Sequence, residues 1–563
     1  MPSQNKNTEK AILDQVNRAT KHVSQYGVTD VELMPELFEV PLLRKQGRDN
    51  WQTLVEEISQ NITKALNKEK KGKVRLEQLQ LQPLQHVLIP KKTIADFRKC
   101  SLADIKDEIT YLSLVLLIAR KIEADRISKQ KDRVYSYRFD GTPENDKLFH
   151  EEYSFTSFGR KVLEKSKRSS TKVRIDCDIA SFYDRLNLHR LNSILLSIKG
   201  TDSDVIQLLD ELLLFWQDRN SYGLPVGSNG SRILAEAALI EVDRQLAKEG
   251  VDFIRFVDDY RIFANNASIA NKHLALLVKL LEREGLFLNS SKTRIVDVSE
   301  TYVLDTDTSQ GSPEMEASDE NLTSVQEATH LQFENSQNTA PKSRYAGLIP
   351  LKFRNPSESE KEFLQLLNIR YEISQLKRAT ILDEKTFRNI CSGMATQGKF
   401  SYSSSLVKLT SKCPQFTPYT VSFLIKHSDH IPENEISNIV EFYRAQLHSR
   451  STPEFILLSI ARLFSNKKFA NYNDLFDAYL NLERGYGGIL GRAYLAAMTG
   501  GLDRAQILKI RDHARNMTLF ECRGIAHLVT QGLHPSEGDP FLKNLSLQYN
   551  DYFLRNMKGS ITK

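Results

Sequence analysis

The chain has 563 residues, 40% hydrophobic and 26% charged, with a net charge of +6. It is too long for one core of usual size, so two or more domains are expected, and nothing approaches the run of about eighteen apolar residues that a membrane span needs. The start, Met1-Pro2-Ser3-Gln4, lacks a signal-peptide core, and Cys100, Cys177, Cys391, Cys413 and Cys522 show no C-x-x-C spacing. A soluble cytoplasmic protein without membrane partners, disulfide framework or zinc site is the expectation.

In chain order, residues 1–30 read as an exposed N-terminal helical extension with Ala11, Ile12, Val16 and Ala19 on one side. From Val31 to Leu81 the pattern is mostly helical, interrupted by Pro35, Pro41 and a Lys-rich loop near Gly72. The segment Val87-Leu88-Ile89-Pro90-Lys91-Lys92 leads past Arg98 to a long apolar helix from Ile105 to Ala124. Val134-Tyr135-Ser136-Tyr137-Arg138 then alternates like a strand. Basic residues cluster at Lys64, Lys68, Lys70, Lys71, Lys73 and Arg75, and again from Arg160 to Arg174. Such runs are ordinarily solvated faces, and beside a nucleotide site they become tracks for phosphates.

Three stretches carry the chemistry. Val173-Arg174-Ile175-Asp176-Cys177-Asp178 is a β-rich run ending in an acid, followed by Ile179-Ala180-Ser181-Phe182-Tyr183. Gly223-Leu224-Pro225-Val226-Gly227 is a Gly/Pro loop running through Ser228 to Arg232 into the helix-like Ile233 to Leu239. Phe253 to Phe263 places Asp258-Asp259 between two runs rich in aromatic and β-branched residues, so the pair reads as a hairpin tip, although it lacks the glycine a two-residue turn prefers. Adjacent carboxylates repel, and a divalent cation is the usual way to keep both ionised. A lone Asp-Asp is equally an ordinary solvated turn.

The order of these stretches (acid on a strand, Gly-rich loop into a helix, Asp-Asp on a hairpin) resembles motifs A, B and C of reverse transcriptases. An amphipathic helix at about 270–284 follows, and then Gly285-Leu286-Phe287-Leu288-Asn289-Ser290-Ser291-Lys292-Thr293 resembles their motif D. The resemblance implies an α+β right-hand fingers and palm domain at residues 31–300, with Mg²⁺ or Mn²⁺ as cofactor and dNTPs as substrate. It makes Asp178, Asp258 and Asp259 the catalytic and metal-binding acids, with the carbonyl of Ile179 an extra ligand. Asp176 is the rival to Asp178, since alternation puts both on one face. The family pattern of Asp, Ile, two variable residues and paired aromatics (Phe182 and Tyr183 here) favours Asp178. Tyr183 falls at the position whose bulk excludes a ribose 2′-hydroxyl. Lys91, Lys92, Arg98, Gly227 and Lys292 are the remaining nucleotide-binding candidates, with Arg138 a weaker one; as isolated bases most would be surface residues.

Residues 301–345 fall in a polar stretch in which, from Glu300 to Pro341, there are nine acids and no Lys or Arg, the composition of an acidic linker or insertion. Residues 346–563 show helical periodicity broken by Pro and Gly, read as an all-α helical-repeat domain or a plain bundle. The form Gly-Leu-Pro-Val-Gly-x-x-x-Ser-Arg-x-Leu-Ala-Glu resembles bacterial abortive-infection and other phage-defence reverse transcriptases. That resemblance implies antiviral DNA synthesis, a homo-oligomer, and either untemplated extension from a tyrosine of the protein or copying of a companion non-coding RNA. Val226, standing where template-copying members have glutamine, favours the untemplated course, with the DNA covalently attached. Tyr26, Tyr302, Tyr345 and Tyr486 are candidates for the priming residue. A palm kept as a non-catalytic phage sensor is the alternative of another class.

Overall fold

The computed structural model describes residues 2–28, 33–67, 74–91, 97–142, 147–298, 351–380, 382–482, 488–513 and 517–557. The linker expected at 301–345, Lys92, and three of the four tyrosines (302, 345 and 486) lie outside them. The chain forms two compact units: the first joins 1–30, 46–84 and 101–329; the second joins 31–45, 85–100 and 330–563.

In the first unit, helix α1 (Pro2–Tyr26) packs along α3 (Ile105–Asp125). The sequence suggested an exposed helix, but Ile12, Val16, Ala19 and Val23 are all buried. Four apolar residues on one stripe need a partner helix, and α3, apolar nearly all round, supplies it. Helix α2 (Glu39–Leu66) begins in the second unit and continues in the first; Pro41 sits in its opening turn, where a missing N–H costs no helical bond. Asp104 caps α3 by accepting from Lys106 N.

The centre of this unit is a four-stranded antiparallel sheet. Its strands are β3 (Val173–Asp178), β4 (Asp252–Phe256), β5 (Asp259–Ala264) and β6 (Arg294–Asp297), in the order β4-β5-β3-β6. The register pairs Asp178 with Asp259 and Asp176 with Arg261 across β3 and β5. Phe256 pairs with Asp259 across the hairpin, which leaves Val257 and Asp258 as its two-residue loop. Helix α4 (Phe155–Ser166) packs on β4 and β5, and α10 (Ala267–Arg283) on β3 and β5. Between β3 and β4 the chain forms α5 (Phe182–Arg185), α6 (Leu188–Ser197), α7 (Ser203–Trp216), α8 (Asn229–Ala238) and α9 (Ile240–Lys248).

The alternation at 134–138 does not give a strand. Val134 makes an isolated parallel bridge to Arg255, all five residues are buried, and Tyr137 takes a left-handed φ of 41°. A segment buried on both sides has no inward and outward faces for alternation to report.

In the second unit, β1 (Gln85–Pro90) pairs with β2 (Phe97–Leu102), the chain passing to the first unit at Ser101. Helices Thr417–Lys426, Glu454–Phe464, Gly488–Ala497 and Leu519–Gly532 pack in series, each on the next but one along the chain. Ile369–Arg378, Ser403–Leu409, Glu433–Leu447 and Tyr472–Leu480 form a second such series, so the region is helical and built of two rows. No helix among the described residues is long and apolar enough to cross a membrane.

Candidate active site

Three carboxylates converge where β3 ends beside the β4–β5 turn. Asp178, Asp258 and Asp259 each offer an oxygen, and these oxygens lie within 4.8 Å of one another. Backbone hydrogen bonds fix the geometry. Ile179 N donates to Asp258 O at 3.1 Å, tying the end of β3 to the turn. From the other side, Asn289 N donates to Asp178 O at 2.7 Å and Ala180 N to Phe287 O at 2.8 Å, so residues 287–289 flank the same strand end.

The electrostatics are those of an over-acidic cluster. Burial, then the charges of Asp178 and Asp259, hold the Asp258 carboxyl well above the ordinary range, with Lys292 opposing. Asp178 is raised by burial and by Asp259, again against Lys292. Lys292 Nζ stands 3.2 Å from Asp178 Oδ2. Burial works against its charge, but Asp178, Asp259 and Asp258 together raise its pKa. Asn289 Nδ2 donates to the same Asp178 oxygen at 3.4 Å. Hard oxygen donors crowded in this way fit a divalent cation, which would remove their repulsion.

Asp176 is neutralised apart from Asp178, and Arg261 links it to Asp259 at 3.4 Å. Arg174 grips it through Nε and Nη2 at 2.8 and 3.0 Å, and Arg261 Nε lies at 3.2 Å. Two guanidinium groups neutralise it, and it does not join the cluster. Alternation alone left the two acids equivalent; the arginine two residues back and the one paired across β5 separate them.

The hairpin turn carries strain. Val257 has φ 53°, in the left-handed region that costs a β-branched residue about 1–3 kcal/mol, and such strain persists only where surrounding contacts over-determine it. This answers the missing glycine: valine occupies the place where a II′ turn prefers it.

Tyr183 is half-buried on α5, and its ring meets Phe182 at 5.6 Å. Burial first, then the fields of Tyr137 and Asp258, push its phenol well above the ordinary value, with Arg232 opposing. Its backbone anchors the Gly-rich loop: Leu224 N donates to Tyr183 O at 3.0 Å and Gly223 N to Leu186 O at 2.9 Å. Gly227 has φ 111°, which a side chain would strain. Just beyond it, Ser228 caps α8 and donates to the buried Glu108 at 2.6 Å. The neighbouring Val226 offers its carbonyl to Ser101 N at 3.0 Å.

The other basic candidates are placed differently. Lys91 follows β1 and Arg98 lies on β2, both in the second unit. Arg138 is not a nucleotide ligand: it is buried, paired with Glu123 at 3.1 Å, and donates to Val134 O and Ile127 O. Sequence reasoning missed Asn289, whose place in the Leu-Asn-Ser-Ser-Lys run was its only signal, and Tyr137 and Arg255, which had none.

Comparison with known proteins agrees with this geometry. The profile of the family "Reverse transcriptase (RNA-dependent DNA polymerase)" matches residues 89–329. No curated protein matches in sequence. Among solved structures, the telomerase of Candida albicans with a fragment of telomeric RNA is 14% identical, covers 75% of this chain and 67% of its own, and has a TM-score of 0.29. Two telomerase structures from Candida tropicalis are likewise 14% identical. The one with telomeric RNA covers 67% of this chain and 64% of its own at TM-score 0.28, and the apo form covers 74% and 73% at 0.30. Likeness of that degree carries no argument. The family match, by contrast, spans the strand and the hairpin that carry the three carboxylates and the Gly-rich loop between them, and residues 89–329 are a reverse-transcriptase domain, of the RNA-directed DNA polymerase family of nucleotidyltransferases.

Proposed function

We propose that this protein is a DNA polymerase adding dNTPs at the site of Asp178, Asp258 and Asp259. The observation that carries this is the convergence of the three carboxylates, two of them held above their ordinary pKa by burial and mutual repulsion. Asp178, Asp258 and Asp259, with the carbonyl of Ile179, would hold Mg²⁺ or Mn²⁺. A divalent pair there activates the attacking hydroxyl and steadies the departing pyrophosphate. Lys292, 3.2 Å from Asp178, is the basic side chain that would meet the triphosphate. Tyr183 limits the space beside the sugar, and Gly227 lets the loop approach without a side chain. Lys91, Lys92 and Arg98 remain proposals for triphosphate contacts.

We assign the chain to antiviral defence, with a helical-repeat domain at 346–563 replacing a conventional thumb and a homo-oligomeric assembly. The Gly-Leu-Pro-Val-Gly-x-x-x-Ser-Arg-x-Leu-Ala-Glu run supports the first assignment, and the two rows of helices support the second. Untemplated synthesis primed by a tyrosine is favoured over copying of a non-coding RNA because Val226 has no side-chain hydrogen bond to offer a template base. Tyr26, the one candidate tyrosine among the described residues, is 37% exposed at the end of α1. Its ring lies 4.6 Å from that of His22, which accepts from Asn229 Nδ2 at 2.7 Å at the start of α8. The test is nuclease-treated protein given labelled dNTPs and no nucleic acid. Label retained on the protein through denaturation and released by protease is expected; label that runs free, or appears only with added RNA, selects the templated course. No incorporation under either condition selects the sensor.

A further inference from the structure

Behind the turn lies a set of buried charges that the proposed chemistry does not use. Arg255, the last residue but one of β4, donates through Nε and Nη2 to Asp243 at 3.0 and 2.6 Å. It also donates through Nη1 and Nη2 to Glu236 at 3.3 and 3.0 Å. Arg126 takes the other side of Glu236, which also accepts from Ser136 Oγ. Tyr260 donates to Asp243 Oδ1 at 2.9 Å. These two acids and two arginines are all buried, and Arg126 extends the set to Glu123 at 2.8 Å, which Arg138 also meets.

Stability alone does not favour such a set, because well-packed apolar side chains of the same volume are often as stable or more so. What a fully hydrogen-bonded guanidinium adds is direction, and one donor is aimed outside the set: Arg255 Nη1 donates to Val257 O at 2.8 Å. Val257 is the strained residue of the turn and immediately precedes Asp258. The backbone of Arg255 is held as firmly, its N donating to Arg133 O at 2.7 Å and its O accepting from Tyr135 N at 2.9 Å. The same network reaches the opposite wall, since Arg126 donates to Tyr137 O at 2.9 Å and Ser136 O at 2.7 Å, and Glu236 belongs to α8 behind the Gly-rich loop.

We infer that Arg255, locked by Asp243 and Glu236, is a positioning residue that clamps the Val257 carbonyl and thereby holds Asp258 in register with Asp178 and Asp259. The inference rests on the reading of those three acids as the metal site. A lysine at 255 keeps the charge but has one nitrogen where the guanidinium has three, so it cannot serve Asp243, Glu236 and Val257 O together.

The experiment compares wild-type full-length protein with Arg255→Lys, Asp178→Ala and Leu208→Ala, a cavity variant of the buried α7 face that touches none of these groups. Mn²⁺ binding is read by electron paramagnetic resonance, alongside kcat and KM for dNTP and the unfolding midpoint. Arg255→Lys is expected to raise the Mn²⁺ concentration for half-saturation about tenfold or more, the size typical of lost support behind a metal ligand. It should also lower kcat while moving KM less than about twofold; Leu208→Ala should lower the unfolding midpoint and leave Mn²⁺ binding unchanged. Should Arg255→Lys not fold, Tyr260→Phe, which removes only the hydroxyl on Asp243, should give the same pattern at about two- to fivefold. Mn²⁺ curves coincident with wild type in the folded variant, or shifted equally by Leu208→Ala, would overturn the inference while leaving the metal site standing. Mn²⁺ binding that Asp178→Ala does not affect would sink the metal reading itself, and the inference with it.

Discussion

Replacing Asp258 with asparagine should stabilise the metal-free protein while abolishing nucleotide addition. Ligand oxygens of the three acids lie within 4.8 Å of one another, so each fully ionised pair costs at least about 3.5 kcal/mol at an effective dielectric constant near 20. Asp258 takes part in two such pairs. Protonation caps the cost: taking up one proton at pH 7 against an ordinary carboxylate pKa of 3.8 costs about 4 kcal/mol. Lys292 recovers part of this, leaving a gain of roughly 2–4 kcal/mol for Asp258→Asn in EDTA. The sign follows from linkage. The folded pKa of Asp258 is raised, so the native state holds a proton the unfolded state has lost, and this residue's contribution to stability falls as pH rises above 3.8 until the folded pKa is passed, opposite in sign to the buried histidines below. The variant should lack that fall, so the gap should widen as pH rises above 3.8. Asp176→Asn is the counter-case: it takes the carboxylate charge from between Arg174 and Arg261, and should destabilise by about 2–4 kcal/mol while leaving incorporation in place. Urea unfolding in EDTA, with and without Mg²⁺, reads both. An Asp258→Asn protein less stable than wild type at pH 8 in EDTA, or one that still incorporates dNTPs, would refute the reasoning.

Tyr183→Ala should raise rNTP incorporation relative to dNTP by tenfold or more, measured as a ratio of kcat/KM; an unchanged ratio would place the sugar gate elsewhere. At position 257 the usual order of alanine and glycine should reverse. Val257→Ala keeps the left-handed strain while losing buried methyl groups, so Val257→Gly should unfold at higher urea than Val257→Ala, by about 1 kcal/mol. Acid should destabilise the protein before its ordinary carboxylates titrate. Burial lowers His22 to about 3, and His86, His427 and His527 to about 4. Each stays neutral when folded but charges when unfolded below about 6.5, so stability is full above that pH and falls as pH drops. For the well-buried His22 alone the loss is on the order of 3 kcal/mol by pH 4. Urea midpoints that do not change between pH 7 and pH 5.5 would contradict it.

The acid cluster was legible because each of its members sits in a local pattern: a β-rich run ending at Asp178, and an Asp-Asp between two strand-like runs. A hairpin reports its tip in sequence, since both strands and the turn are contiguous. What sorts Asp176 from Asp178 is only partly local: Arg174 stands two residues back, but Arg261 is 85 residues further on and meets Asp176 only through the antiparallel register. Arg255, Glu236 and Asp243 were unreadable for the same reason. Each is an ordinary charged residue along the chain, and only the packing of α8 and α9 against β4 turns them into one buried set. Burial of the N-terminal helix was half legible: its apolar stripe was visible, but the helix that covers it begins some eighty residues after α1 ends.

The choice of cation at each acid follows the same physical division. Arginine meets the acids that hold structure, Asp176 by Arg174 and Arg261 and Asp243 and Glu236 by Arg255, and Arg261 also reaches Asp259 of the cluster at 3.4 Å. A guanidinium is always charged and grips a carboxylate through two nitrogens, so these contacts are permanent. Asp178 is met instead by Lys292, a compact point charge on a flexible stem. One nitrogen at 3.2 Å holds the acid while the site is empty of metal and can be displaced without breaking a bidentate lock. On the proposed reading, Lys292 is the cation that would be at hand for the triphosphate if a metal ion neutralised Asp178. Guanidinium groups thus fix the charges behind the turn and, through Arg261, one side of Asp259, while Asp178 is held by the flexible ammonium of Lys292, the contact in this set that can yield without breaking a bidentate lock.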